Sequence, residues 1–116
     1  MQIIAQADDI APVITPEGAE RRVLSYGGSL MAVQFRFEAG VTAAVHSHPH
    51  EQIGYVVSGD IDLIMEGRPT VRLTAGATYY IPPNVRHGIV THTPAVVFPP
   101  FSPILAVFLV PDMWSK

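Results

Sequence analysis

The sequence predicts an all-β protein, a sandwich or barrel of short strands, and three observations carry that expectation. Several runs alternate apolar and polar residues with the period of two that places them on opposite faces of a strand. Nine glycines and eleven prolines cut the chain into short segments between turn signals. No stretch shows the spacing of an amphipathic helix. At 116 residues the chain suffices for one domain, residues 1–116, and is too short for two ordinary ones.

Taken in order, residues 1–20 read as an N-terminal arm or extra strand. The piece "ADDIAPVITPEGAE" (7–20) carries too many prolines and acids for a central strand and is expected to wrap the outside. "RRVLSY" (21–26) is the first full strand. "SLMAVQFRFEAG" (29–40) puts Met31, Val33, Phe35 and Phe37 on one face and Gln34, Arg36 and Glu38 on the other. "VTAAVHSH" (41–48) and "QIGYVVS" (52–58) follow. "DIDLIME" (60–66) sets Ile61, Leu63 and Met65 against Asp60, Asp62 and Glu66. After the turn "EGRP", "TVRL" (70–73) has Val71 and Leu73 inward and Arg72 outward. These last two runs read as a hairpin across which Arg68 and Arg72 face the aspartates. "TYYIP" (78–82), "RHGIVTH" (86–92), "AVVFPPF" (95–101) and "ILAVFLV" (104–110) complete about ten strands. The last is expected in the core or a dimer interface. Phe98 and Phe101 are expected to line the pocket or the core.

Composition narrows the function. A net charge of −3 with a single lysine lacks the basic stripe that nucleic acid requires. No apolar run approaches the roughly 18 residues of a membrane span. The opening "MQIIAQADDIAPV" has acids where a secretion signal has basic residues, so a cytoplasmic location is expected. With no cysteine, any metal must be held by nitrogen and oxygen. At 48% hydrophobic residues and a mean hydropathy of +0.29, some apolar surface is expected to be covered by a second copy in a homodimer.

The chemistry concentrates in "HSHPHEQ" (46–52). His46 and His48 are two apart and share a strand face, so both rings can enter one cavity. Gln52 shares their parity and Glu51 does not. If strand geometry resumes after Pro49, Gln52 turns toward the histidines and Glu51 away; a bulge would reverse this, so Glu51 remains the competing ligand. His50 fits a loop or supporting position better than a further ligand, and His92 has the parity of an outer face. Tyr79 and Tyr80 are adjacent, so one faces the cavity and the other the exterior. Tyr80, Glu51 and His50 are the candidate catalytic groups.

Around these residues the chain resembles the cupin superfamily. Gly40, five residues, "HSH", three residues, Gln52, six residues and Gly59 follow the first cupin motif, with glutamine replacing glutamate. Gly76, Pro82, Asn84 and His87 follow the second, with asparagine replacing a glycine; asparagine tolerates the left-handed turn conformation best among the alternatives. The two motifs span residues 40–87 and are separated by 16 residues. The resemblance implies a double-stranded β-helix (jelly-roll) barrel of the RmlC-like kind. It also implies one divalent transition metal (Ni, Zn, Mn, Fe or Cu) held by His46, His48, Gln52 and His87, with a small-molecule ligand in the barrel. Four neutral ligands would leave the ion its full charge, which favours an anionic substrate oxygen and lowers the pKa of bound water.

Most of the chain is similar to the small cupins that ketonise unsaturated uronates, which share "HSHPHEQ" and a "YYIPPNV.HG" second motif. In that family an aspartate and an arginine around "D.FSP..R" complete the site. Here the stretch is "PPFSPIL", with Pro99 and Leu105 in those places, which counts against uronate ketonisation. The expected function is therefore a metal-dependent enzyme of isomerase, lyase or dioxygenase type acting on a small, weakly polar oxygenated molecule. The alternatives are a catalytically reduced binding protein, and sugar-acid isomerisation with His50, Glu51 or a tyrosine substituting for the lost groups.

Overall fold

The computed structural model describes residues 1–98 and the backbone of residues 101 and 102. Pro99, Leu105, the side chain of Phe101 and the run "ILAVFLV" lie outside the described residues. The arm begins with a single 3-10 turn at Ala7–Asp9 and an edge strand, β1 (Val13–Ile14). Next come β2 (Glu20–Gly27), β3 (Leu30–Phe37), β4 (Thr42–His46), β5 (Glu51–Ser58) and β6 (Ile61–Met65). The remainder are β7 (Val71–Leu73), β8 (Thr78–Ile81), β9 (His87–Thr91), β10 (Ala95–Phe98) and β11 (Phe101–Ser102).

All the pairings are antiparallel and they form two sheets. One has the order β1-β2-β3-β10-β5-β11 with β8 also on β5; the other has the order β4-β9-β6-β7. Inner faces of both supply the core: Phe37, Val56, Ile81 and Val97 from the first sheet pack with Ile61 and Leu63 from the second. Val56, Ile61 and Ile81 are wholly buried, each contributing roughly 1.5–3 kcal/mol relative to an exposed side chain. This is the all-β, double-stranded β-helix barrel that the alternating runs and motifs point to.

The alternation in "SLMAVQFRFEAG" holds, with Met31, Val33 and Phe37 buried and Arg36 and Glu38 exposed. The hairpin pairs Asp62 with Arg72, and their side chains form an ion pair at 2.8 Å. His92 holds the other Asp62 oxygen at 2.8 Å, consistent with its outer-face parity. Arg72 and then His92 keep the Asp62 carboxyl below its ordinary pKa. Val71 departs from expectation: it is 48% exposed, because β7 is the edge of its sheet and little packs over it. Phe98 is half-buried and lines an open apolar groove of about 480 Å³ with Met1, Leu30 and Met31.

Two turns join the sheets near one end of the barrel. The chain leaves β4 at His46 in one sheet and enters β5 at Glu51 in the other, so residues 47–50 form the crossing. Asn84, in the turn before β9, is the only non-glycine among the described residues with positive φ, at 64°. Its backbone N–H donates to the His48 carbonyl at 2.7 Å, tying the second turn to the crossing.

Candidate metal centre

His46 ends β4 and His87 begins β9, and the two are direct partners in the strand register. His48 lies on the crossing. The rings gather closely, with centroids 4.5 Å apart for His46 and His87, 5.0 Å for His48 and His87, and 5.7 Å for His46 and His48. One nitrogen from each lies within 4.8 Å of the others, and together they are able to hold a metal ion. Burial grades across the site: His46 is exposed, His48 is intermediate and His87 is buried.

Backbone carbonyls orient all three rings. The Nδ1 of His46 bonds the Ala44 carbonyl at 3.0 Å, that of His48 the His50 carbonyl at 2.8 Å, and that of His87 the Val85 carbonyl at 2.9 Å. A carbonyl oxygen only accepts, so each Nδ1 carries a proton and each neutral ring keeps its Nε2 lone pair for a ligand. This arrangement is how proteins fix the tautomer and aim of a metal-binding histidine.

Two further observations test whether a cation suits these residues. The Nε2 of His87 is buried without a hydrogen-bond partner, which costs about 1–3 kcal/mol unless something fills it. The Nε2 of His48 lies 3.1 Å from Oε1 of Gln52. With Nδ1–H committed to the His50 carbonyl, that contact joins two acceptors and calls for a positive charge, either a proton or a cation shared by both. The donor set, imidazole nitrogens and an amide oxygen without thiolate, suits a divalent transition metal. The residues fit the group.

Gln52 and Glu51 occupy opposite faces of β5. Gln52 is buried beside His48, while Glu51 is exposed and accepts a hydrogen bond from the Tyr80 hydroxyl at 2.8 Å. Tyr80 and Glu51 therefore stand on the outside of the barrel. Of the adjacent tyrosines it is Tyr79 that faces in, a correction to naming Tyr80 as the tyrosine of the cavity. The pleat dictates this: β8 alternates exposed and buried from Thr78 to Ile81. His50 is half-buried, and its backbone carbonyl supports His48.

Tyr79 and the supporting role of the residue-84 turn are not legible from the motifs. A usable signal for Tyr79 is Gly54, its register partner, which presents no side chain on the inner face of β5. Burial raises the Tyr79 hydroxyl to about 12, against a smaller opposing effect from its hydrogen bond with Gln52. At neutral pH it is a proton carrier, not a base.

Burial lowers the His87 imidazole to about 4; the Val85 carbonyl opposes this, while the neighbouring His46 and His48 reinforce it. Above pH 6.5 His87 is neutral both folded and unfolded and adds no pH dependence. As pH falls from about 6.5 to about 4 the unfolded chain takes up a proton that the folded chain refuses. Stability therefore drops across that window by an amount of order 3 kcal/mol and then levels off. Urea unfolding of chelator-treated protein at several pH values should show this slope, and a His87→Leu variant should have lost that part of it. Equal slopes in both proteins would contradict the assignment.

Residues 33–101 match the cupin domain family. The chain belongs to the cupin family. Among characterised relatives, this cupin is 33% identical over 95 residues to the pectin degradation protein KdgF of Dickeya dadantii, across 80% of the chain and 86% of the relative. It is also 33% identical over 64 residues to the dimethylsulfoniopropionate lyase DddQ of Ruegeria pomeroyi. That match covers 55% of this chain and 32% of the lyase, so the cupin spans about a third of the lyase's length. Among solved structures, an RmlC-like cupin from Shewanella frigidimarina superposes with a TM-score of 0.87 at 31% identity, over 93% of this chain and 96% of that one.

Proposed function

We propose that this cupin is a metal-dependent enzyme of isomerase, lyase or dioxygenase type, acting on a small, weakly polar oxygenated molecule held beside the histidines. The observation that carries the reading is the convergence of three Nε2 lone pairs, each ring anchored through Nδ1, on a point flanked by the Gln52 amide. His46, His48, Gln52 and His87 are the proposed ligands. A divalent ion there would act as a Lewis acid toward a substrate oxygen or support dioxygen chemistry. The chain's own residues do the rest. The neutral ligand set leaves the local field positive, so an oxygen-bearing substrate is drawn in oxygen first. Tyr79, protonated at neutral pH, offers a hydrogen-bond donor on the buried side. His46, the exposed member, marks the side from which a small molecule reaches the cluster.

Likeness to a pectin degradation protein and a lyase supports small-molecule chemistry at such a site. A second reading, uronate ketonisation, is favoured by the KdgF relative and opposed by Pro99 and Leu105 in place of the family's aspartate and arginine. We place the protein in the cytoplasm as a homodimer. Ile53, Tyr55, Val57 and Tyr80, all exposed on the outer face of β5 and β8, form an apolar strip that a second copy would cover.

The test is elemental analysis of purified protein, then turnover assays on unsaturated uronates and on aromatic and other weakly polar oxygenated compounds, with and without dioxygen. The expected result is a bound transition metal and chelator-sensitive turnover outside the uronate class. Turnover of uronates by the unmodified chain would move the assignment to the second reading. No metal, with folding and solution mass unchanged in chelator, would sink both.

A further inference from the structure

The glutamine in the ligand set raises a question that a glutamate would not. A carboxylate presents two equivalent oxygens, whereas an amide presents an oxygen with lone pairs or an NH₂ group with none to give. Flipped by half a turn, Gln52 would have the same shape and turn two partly positive hydrogens toward the cluster. Something must choose between the two states.

Tyr79 is placed to choose. It faces Gly54 across the β5–β8 pairing, and Gln52 lies two residues along on the same inner face, the diagonal neighbour that an aromatic side chain reaches. The ring has one place to lie, because any side chain at residue 54 would overlap Tyr79 ring and hydroxyl atoms. The ring is buried, 8% exposed, and its hydroxyl shares a hydrogen bond with the Gln52 side chain. That bond favours the ionised phenol, so Gln52 is the donor and the Tyr79 oxygen accepts. With the amide nitrogen held there, the carbonyl oxygen is the atom left beside His48, as the 3.1 Å contact has it.

We propose that Tyr79 is a positioning residue that locks the Gln52 amide with Oε1 turned toward His48 and His87, converting an ambiguous side chain into an oxygen ligand. The idea deepens the metal-site reading and rests on it for its role in binding, but the orientation itself is a property of the metal-free protein. Gly54 belongs to the device, since it makes room for the ring.

Two measurements test it. In the first, cobalt(II) is titrated into the wild type, Tyr79→Phe, Gln52→Glu and the double variant, read by calorimetry and by the visible absorption of the bound ion. Tyr79→Phe should weaken binding by about 10–100-fold when residue 52 is glutamine, as loss of an outer-shell partner does. In the Gln52→Glu background the same change should cost less than about threefold, because a carboxylate has no wrong way round. Equal losses in both backgrounds would make Tyr79 a mere packing residue, and no loss in the first would show that the amide is oriented by something else. In the second, the Gln52 side-chain NH₂ signals of metal-free protein are followed by NMR. Contacts to the Tyr79 ring and slowed solvent exchange are expected, with the slowing lost in Tyr79→Phe. Unchanged protection in that variant would overturn the proposal even with no ion bound. If the wild type binds no cobalt while the NMR result holds, the metal reading fails and the orientation stands.

Discussion

Replacing His87 by leucine should abolish transition-metal binding while leaving chelator-treated protein at least as stable as the wild type near neutral pH. The two effects have one cause. His87 contributes the most buried of the three converging nitrogens, and its Nε2 is buried with no hydrogen-bond partner. Its loss should reduce affinity by more than the roughly 10–100-fold that follows removal of a supporting partner. In the metal-free protein the same imidazole is a liability, since an unsatisfied buried polar atom costs about 1–3 kcal/mol and an apolar side chain of similar size removes that cost. Calorimetric titration with nickel(II) or zinc(II), paired with urea unfolding in chelator, reads both. Wild-type affinity in the variant would place the metal elsewhere. A large loss of metal-free stability would mean that the imidazole makes contacts beyond the Val85 carbonyl that leucine cannot replace.

Gly59→Ala should be the more damaging of two substitutions that look equivalent in sequence. Gly59 and Gly76 both belong to the matched motifs and both have φ near +90°, at 90° and 93°. An alanine at either pays left-handed strain of roughly 1–2 kcal/mol. At Gly76 nothing lies within 4 Å of the added carbon, so strain is the whole effect. At Gly59 the new carbon would collide with the Pro94 carbonyl oxygen and with Ala95, both ahead of β10 or in its first residue. Displacing that backbone adds roughly 1–3 kcal/mol of overpacking, for a total of about 3 kcal/mol or more. Urea unfolding of the two variants checks the difference. Equal losses would show that the turn at Gly59 relaxes away from β10, and that the motif glycine serves backbone conformation alone.

Much of the fold is legible because β patterning is local. The parity of Met31, Val33 and Phe37, or of Ile61 and Leu63, is set by the pleat within one strand and needs no knowledge of its partner. The same parity places Gln52 inward and Glu51 outward, since β5 resumes regular alternation at the first residue after the crossing. Val71 is the counterexample. Its parity is right for burial, but an edge strand has nothing over it, and edge position depends on how the sheet is assembled.

The candidate site divides along the same line. Its histidines stand out by type and spacing, and motif spacing pairs His87 with His46 and His48 across some forty residues. Which of Tyr79 and Tyr80 faces in is open from sequence, because two adjacent residues of one type satisfy either register. Pairing of β8 with β5 decides it, setting Tyr79 over Gly54 and Tyr80 opposite Ile53. The carbonyls of Ala44, His50 and Val85 that aim the rings are likewise invisible in a sequence, since every residue has one.

By itself the sequence determined the all-β class, the two motifs, the cluster of neutral donors and the absence of thiolate. Each of these depends on residue identity or on the period of a single strand. Only the tertiary structure decided that the three imidazoles present their Nε2 atoms to one point, that Tyr79 and not Tyr80 is inside, and that Gln52 has a partner for its amide. Those facts depend on where two sheets bring separate strands together, and on hydrogen bonds whose partners are distant or belong to the uniform backbone.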